Sequence, residues 1–197
     1  MQDEFLRSLV WADYRVAVLF TVIIPLILLI WAFVQKVDSM VRLLIIYWRV
    51  SSLLAITVYL FIAGLPIGFV SGWFARILIP IALWFWVDVN DDIEDQPQRP
   101  LKLALTSWRW AITTYCLVGA LASIPSLSCA FFAGAIKTPA CQVWLEPPLL
   151  FKEYFHHDAK PGFLGFLGMT GLVSYVLYLS YFVLIRLGKQ GRSAMEQ

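Results

Sequence analysis

The sequence predicts an all-α fold, a polytopic membrane bundle of five transmembrane helices with three spans before and two after one acidic connection. Three observations lead there. Hydrophobic residues make up 60% of the 197 and charged residues 14%, whereas a soluble domain carries about 25% charged residues. A soluble core of this size cannot bury so much apolar surface, and lipid is the solvent that accepts it. Apolar runs long enough to cross a bilayer recur along the whole chain. The one long polar run between them, residues 88–102 (DVNDDIEDQPQRPLK), is too acidic and proline-punctuated to enter a bilayer. The chain reads as a single integral membrane domain, residues 1–197. The formal charge of +2 is small and the 15 Lys and Arg are scattered, so no nucleic-acid partner is expected. Membrane lipid and other integral membrane subunits are the expected partners.

The first span covers residues 16–34, free of charge between Arg15 and Lys36. At about 1.5 Å per residue it matches a hydrocarbon layer of about 30 Å. Pro25 is tolerable in its middle if a neighbouring helix or side chain takes the carbonyl that the missing amide frees. The preceding residues carry Asp3, Glu4 and Asp13 in place of the basic start of a secretory signal, so this run is expected to stay in the mature chain.

Between Arg42 and Asp88 the apolar content is too long for one helix. The break at Ala63-Gly64-Leu65-Pro66 predicts a tight hairpin, with spans over 43–65 and 66–87 and Pro66 at the first helical position. A rival reading makes 50–74 one span and lays 77–87 on the surface. Span four is 103–127, entered through Trp108-Arg109-Trp110, and span five is 163–185, followed by Arg186, Lys189 and Arg192. The positive-inside rule puts that last cluster in the cytoplasm. Five spans then bring Arg99, Lys102 and the Lys36 to Arg42 connection to the same side, which the rival reading does not. The expected topology is N-terminus outside, C-terminus inside, with 88–102 cytoplasmic and 128–162 external.

This reading leaves Arg76 deep in span three, where a charge costs about 2.5 to 3.5 kcal/mol. Gly68, Gly72 and Arg76 recur at four-residue spacing and share one helix face, which lets another helix approach closely. Pro80 removes the amide that would have bonded the carbonyl of Arg76. No Asp or Glu falls inside the five spans. The expected partners of Arg76 are therefore carbonyls and hydroxyls of its own bundle, or a carboxylate or anion from outside the chain. A second stripe, Gly162, Gly165, Gly168, Gly171 and Ser174, is another close-packing surface. Gly68, Gly72, Arg76, Gly165, Gly168 and Gly171 are the candidates for docking a partner. Spans two and four also share Trp-Arg followed by Ala-Ile-Thr-x-Tyr, a weak sign of a duplicated hairpin.

Residues Asp88-x-Asn90-x-Asp92 match the first oxygen ligands of a calcium loop, but Ile93 replaces its glycine and Arg99 its closing Glu. A solvated acidic loop is the simpler reading. The same run, Asn90-Asp91-Asp92-Ile93-Glu94-Asp95 with Arg99-Pro100, resembles part of the aspartate-rich motif of UbiA-type intramembrane prenyltransferases, which holds magnesium and a diphosphate. The second aspartate motif of that family has no counterpart here, and five spans are too few for its bundle.

Arg49 and Arg109, each beside a Trp, read as interfacial side chains reaching the head groups. Cys129 and Cys141, on the external side, are expected to form a disulfide, while Cys116 sits in an apolar run. Glu153, His156, His157 and Asp158 cluster before span five, but neighbouring His residues project differently and nothing completes a ligand set. No catalytic residue, no metal set and no cofactor is expected.

Three groups of residues resemble an uncharacterised cyanobacterial family of small multi-span membrane proteins, a domain of unknown function. They are Leu19-Phe20-Thr21 to Trp31-Ala32-Phe33; Leu43 to Arg49 with Arg76-Ile77-Leu78-Ile79-Pro80 and Trp84 to Asp88; and Arg99 to Lys102 with Ser107 to Trp110. The resemblance implies a thylakoid or plasma membrane and brings no catalytic residues. The expected function is that of a non-enzymatic accessory or assembly factor of a photosynthetic or respiratory complex. A small carrier or channel and a prenyltransferase-like enzyme using 88–95 are the alternatives.

Overall fold

The computed structural model describes residues 2–132 and 134–194. Among them every regular element is helical. Four helices are long and apolar enough to cross a membrane: Glu4–Val34, Asp38–Ile62, Ile67–Trp84 and Pro161–Arg186. The pair Pro100–Ala122 and Pro125–Phe131, bent by 56° at its break, passes the same test only when taken together, which gives four such helices or up to five. These dimensions fit a membrane protein.

Helix α1 (Gln2–Ala17) continues through a π-helical turn (Val18–Ile23) into α2 (Ile24–Val34). No glycine or proline interrupts the chain between Glu4 and Val16, so the helix begins well before the apolar run does. The π turn stands just ahead of Pro25, which has no amide to offer Thr21. The Tyr47 hydroxyl donates to the Thr21 carbonyl at 2.7 Å and Trp108 Nε1 to the Phe20 carbonyl at 2.9 Å. Neighbouring helices thus satisfy the carbonyls around the proline, as a bilayer interior requires.

Helix α3 (Asp38–Ile62) and α4 (Ile67–Trp84) form the hairpin. Gly64 takes φ +65, and the amides of Gly64 and Leu65 cap the carbonyls of Phe61 and Leu60. That is the left-handed closure glycine supports best. Pro66 lies immediately before α4 as its N-cap, one residue from the expected position. Thr57 and Ser71 pair through their hydroxyls at 2.8 Å across the hairpin.

Residues 88–102 depart from the solvated loop read from sequence. They include α5 (Val87–Glu94), a short helix with Val89 and Ile93 buried in the core and Asp91 and Glu94 exposed. Two apolar residues four apart inside an acidic run give it one buried stripe. Helix α6 (Pro100–Ala122) then packs against α4 and α2. The connection after α6 carries α7 (Ser128–Phe131), α8 (Pro139–Gln142) and α9 (Glu146–Phe155). Cys129 and Cys141 in it are joined by a disulfide, with Cα atoms 5.9 Å apart. Helix α10 (Pro161–Tyr181), a second π turn (Phe182–Arg186) and α11 (Leu187–Gln190) complete the chain.

The core lies among α2, α3, α4, α5 and α6, around Leu43, Tyr47, Ile79, Leu83, Leu105 and Ile112. At one end Arg42 donates to the Ala194 carbonyl at 2.9 Å and Arg192 to that of Phe85 at 3.0 Å, while Asp88 accepts from Ser193 and the Ala194 amide. At the other end Arg7 and Trp11 donate to Glu146 at 2.8 and 3.1 Å, tying α1 to α9.

Candidate functional site

Arg76 leaves α4 toward the end where α1 meets α9, since side chains on a helix lean toward its N-terminus. It meets a carboxylate from its own chain. Nη2 pairs with Asp13 Oδ2, and Nη1 donates to the Gly119 carbonyl at 2.9 Å. Asp13 Oδ1 accepts from the Tyr115 hydroxyl at 2.8 Å, and that hydroxyl also lies 3.2 Å from the Asp13 carbonyl oxygen. Helices α1, α4 and α6 are thereby pinned through one charge pair.

Of the two expected kinds of partner, the Gly119 carbonyl is one that the bundle itself supplies, and the carboxylate comes from Asp13 of the same chain where the sequence reading looked outside it. Asp13 precedes the uncharged run, but the helix continues through it, so the side chain stands one turn above Val16 and within reach of α4. Gly119 completes the arrangement: a Cβ there would sit 3.3 Å from the Arg76 guanidinium. Asp13, Tyr115 and Gly119 escaped the sequence reading. The signal available was the lack of any helix breaker between Asp13 and Val16.

Beside the pair lies a half-open cavity of about 760 Å³ between α1, α3 and α4, with α9 along its edge. Its volume falls within the range of about 300 to 1,000 Å³ typical of small-molecule sites. Asp13 and Arg76 stand on its wall, and most of the rest is apolar, including Val18, Leu54, Val58, Phe69 and Phe151. The two charges cancel within the chain, which leaves a cavity with polar groups at one side and no net charge to match.

The other residues singled out in the sequence are placed as follows. Gly68 faces Phe61 and Leu60, and Gly72 faces Thr57 at 3.2 Å. Gly165 faces Ala63, Gly168 faces Tyr59 and Leu60, and Gly171 faces Ile56 at 3.2 Å. Both small-residue faces are filled by α3 of the same chain. Arg109 points inward, contrary to the interfacial reading, and is 4% exposed. It donates to the Leu83 carbonyl at 3.0 Å and to Asn90 Oδ1 at 2.7 Å, and stacks 4.1 Å over Trp84. The carbonyl end of α4 is a favourable place for a cation, and α5 supplies Asn90.

Asp88 and Asn90, two groups of the calcium-like run, are thus engaged within the chain. His156 pairs with the Tyr59 hydroxyl at 2.8 Å, whereas His157 is exposed beside Asp158, so the two imidazoles do not converge. Among the described residues no group of three or more His, Cys, Asp or Glu comes together as a metal set.

No curated protein and no solved structure matches this chain. A family model described as "Protein of unknown function (DUF3177)" matches residues 7–195. Because that match spans nearly all 197 residues, the chain belongs to the DUF3177 family.

Proposed function

We propose that this protein is a non-enzymatic integral membrane protein that holds a neutral, long-chain hydrophobic molecule in the cavity beside Asp13 and Arg76. The cavity itself carries the reading. The space, about 760 Å³ and half open, is lined mostly by apolar side chains, which gain dispersion contacts from an apolar filling. Hydrocarbon is the filling that suits it. The internal neutralisation of Arg76 favours an uncharged molecule whose polar end lies near Ser123 and Ser126, which line the cavity.

The test is to purify the protein in mild detergent, extract it and quantify bound molecules by mass spectrometry. Ala17→Phe and Ala55→Phe, which put aromatic rings into the cavity, are expected to lower occupancy at least about tenfold, the effect of about 1.4 kcal/mol. Unchanged occupancy in both variants would refute the reading.

In this proposal the chain spans the membrane five times with the N-terminus outside and the C-terminus inside. Support comes from the clustering of Arg42, Arg192 and the 85–102 connection at one end, as the positive-inside rule requires. The disulfide at the other end suits an oxidising compartment. In sealed cells, an impermeant maleimide is expected to label a Lys137→Cys variant and to miss a Gln98→Cys variant until the cells are opened, both positions being exposed. The reverse pattern would invert the topology. The family resemblance read from the sequence adds a cyanobacterial thylakoid or plasma membrane as the setting.

A second reading, an accessory subunit docked on a larger photosynthetic or respiratory complex, is favoured by α10. Only 6% of its most apolar window is buried, and Phe166, Val173, Leu177, Tyr181 and Leu184 face outward.

A further inference from the structure

A second cavity, of about 180 Å³, runs between α3, α4 and the end of α10. Its wall is apolar except at a few points, and two of those are Arg49 and Arg186. Helices α3 and α10 are antiparallel: Gly165 meets Ala63, Gly168 meets Leu60, Gly171 meets Ile56, and the Tyr175 hydroxyl donates to the Val50 carbonyl at 3.3 Å. Side chains lean toward the N-terminus of their own helix. On antiparallel helices Arg49 and Arg186 therefore lean toward each other along the groove.

Neither arginine has a hydrogen-bonding or acidic partner among the described residues, and no carboxylate lines the cavity. This is the opposite of the Arg76 site, where the chain supplies its own counter-charge. Two guanidiniums without a counter-charge from the chain, Arg49 exposed and Arg186 half-buried at the helix end, are placed to take an anion at the head-group level. The guanidinium fork matches the oxygens of a phosphate ester, and the apolar length of the groove, with Ile46, Leu78, Leu179 and Val183, matches an acyl chain.

We infer that this groove is a binding site for an anionic phospholipid, with its phosphate held between Arg49 and Arg186 and a hydrocarbon chain lying along α3 and α10. Basic pockets between transmembrane helices on the cytoplasmic side are suited to such head groups. The site is separate from the Asp13–Arg76 cavity and does not depend on what that cavity holds.

The full-length protein in detergent would be tested by thermal unfolding with phosphatidylglycerol, phosphatidylcholine or inorganic phosphate. Phosphatidylglycerol is expected to raise the melting temperature and phosphatidylcholine to leave it unchanged. Arg49→Gln and Arg186→Gln are each expected to weaken phosphatidylglycerol binding about tenfold, because each removes charge-assisted hydrogen bonds. Arg15→Gln, on an exposed face of α1, should not.

An equal response to phosphatidylcholine, or an unaltered response in the double Arg49→Gln/Arg186→Gln variant, would overturn the proposal. Inorganic phosphate reproducing the whole effect would overturn the lipid assignment. Should a Gln variant fail to fold, Arg186→Lys keeps the charge but loses the fork, and undiminished binding there would also count against the site.

Discussion

Asp13→Leu is expected to destabilise the protein by about 1 to 3 kcal/mol, the usual cost of taking a charged hydrogen-bond partner from a half-buried group, since Arg76 and Asp13 are each partly exposed. Arg76 would keep its bond to the Gly119 carbonyl but lose the carboxylate, and the Tyr115 hydroxyl would lose its acceptor. The guanidinium would then face an apolar cavity as a bare charge. The double variant Asp13→Leu/Arg76→Leu removes both charges and should recover most of the loss, since a buried pair is often replaceable by apolar groups at little cost. Thermal unfolding of the four members of this cycle in one detergent measures the coupling. A double variant no more stable than Asp13→Leu would mean that the pair is not the link between α1 and α4.

The second large effect is expected along the face that holds α10. A Cβ on Gly165 would collide with Ala63 Cβ, and one on Gly168 would lie 3.1 Å from the Leu60 amide nitrogen. Overpacking of this kind costs about 1 to 3 kcal/mol. The two positions differ in what they meet. Gly165→Ala meets a side chain, so the added substitution Ala63→Gly should restore stability. Gly168→Ala meets the Leu60 amide nitrogen at 3.1 Å as well as Tyr59 and Leu60 side-chain carbons, so a side-chain change opposite it leaves the backbone contact and should not restore stability fully. Gly162→Ala, with nothing within 4 Å of its Cβ position, serves as a control and should be neutral. Trypsin cleavage at Arg186, at the end of the helix that continues α10, and thermal unfolding report whether α10 has loosened from α3. Rescue of both glycine variants, or of neither, would contradict the packing described.

Both predictions bear on the proposed function. In the sequence the glycine faces and Arg76 are among the grounds for expecting an outside partner. In the folded chain α3 fills the glycine faces, and Asp13 answers Arg76. What remains unpartnered is elsewhere, in the apolar cavity beside the pair and in the Arg49–Arg186 groove. A binding role for hydrophobic and amphiphilic molecules rests on these two, and the outward side of α10 is the surface left for a larger complex.

The helical class, the hairpin and the apolar segments were legible in the residues, because each follows from local rules. A run of apolar residues about 20 long must find lipid, Ala63-Gly64-Leu65-Pro66 must turn, and a Gly-x-x-x-Gly face must be approached closely. Tertiary structure alone decided which groups answer one another. Asp13 reaches Arg76 because a helix outruns its hydrophobic segment, Arg109 turns inward because α5 brings Asn90 beneath it, and α5 exists because Val89 and Ile93 find α3. Arg49 and Arg186, 137 positions apart, share a groove only because α3 and α10 pack antiparallel. Charges in a low-dielectric medium are governed by what stands within a few ångströms of them, and that proximity is set by helix packing, which no local sequence pattern contains.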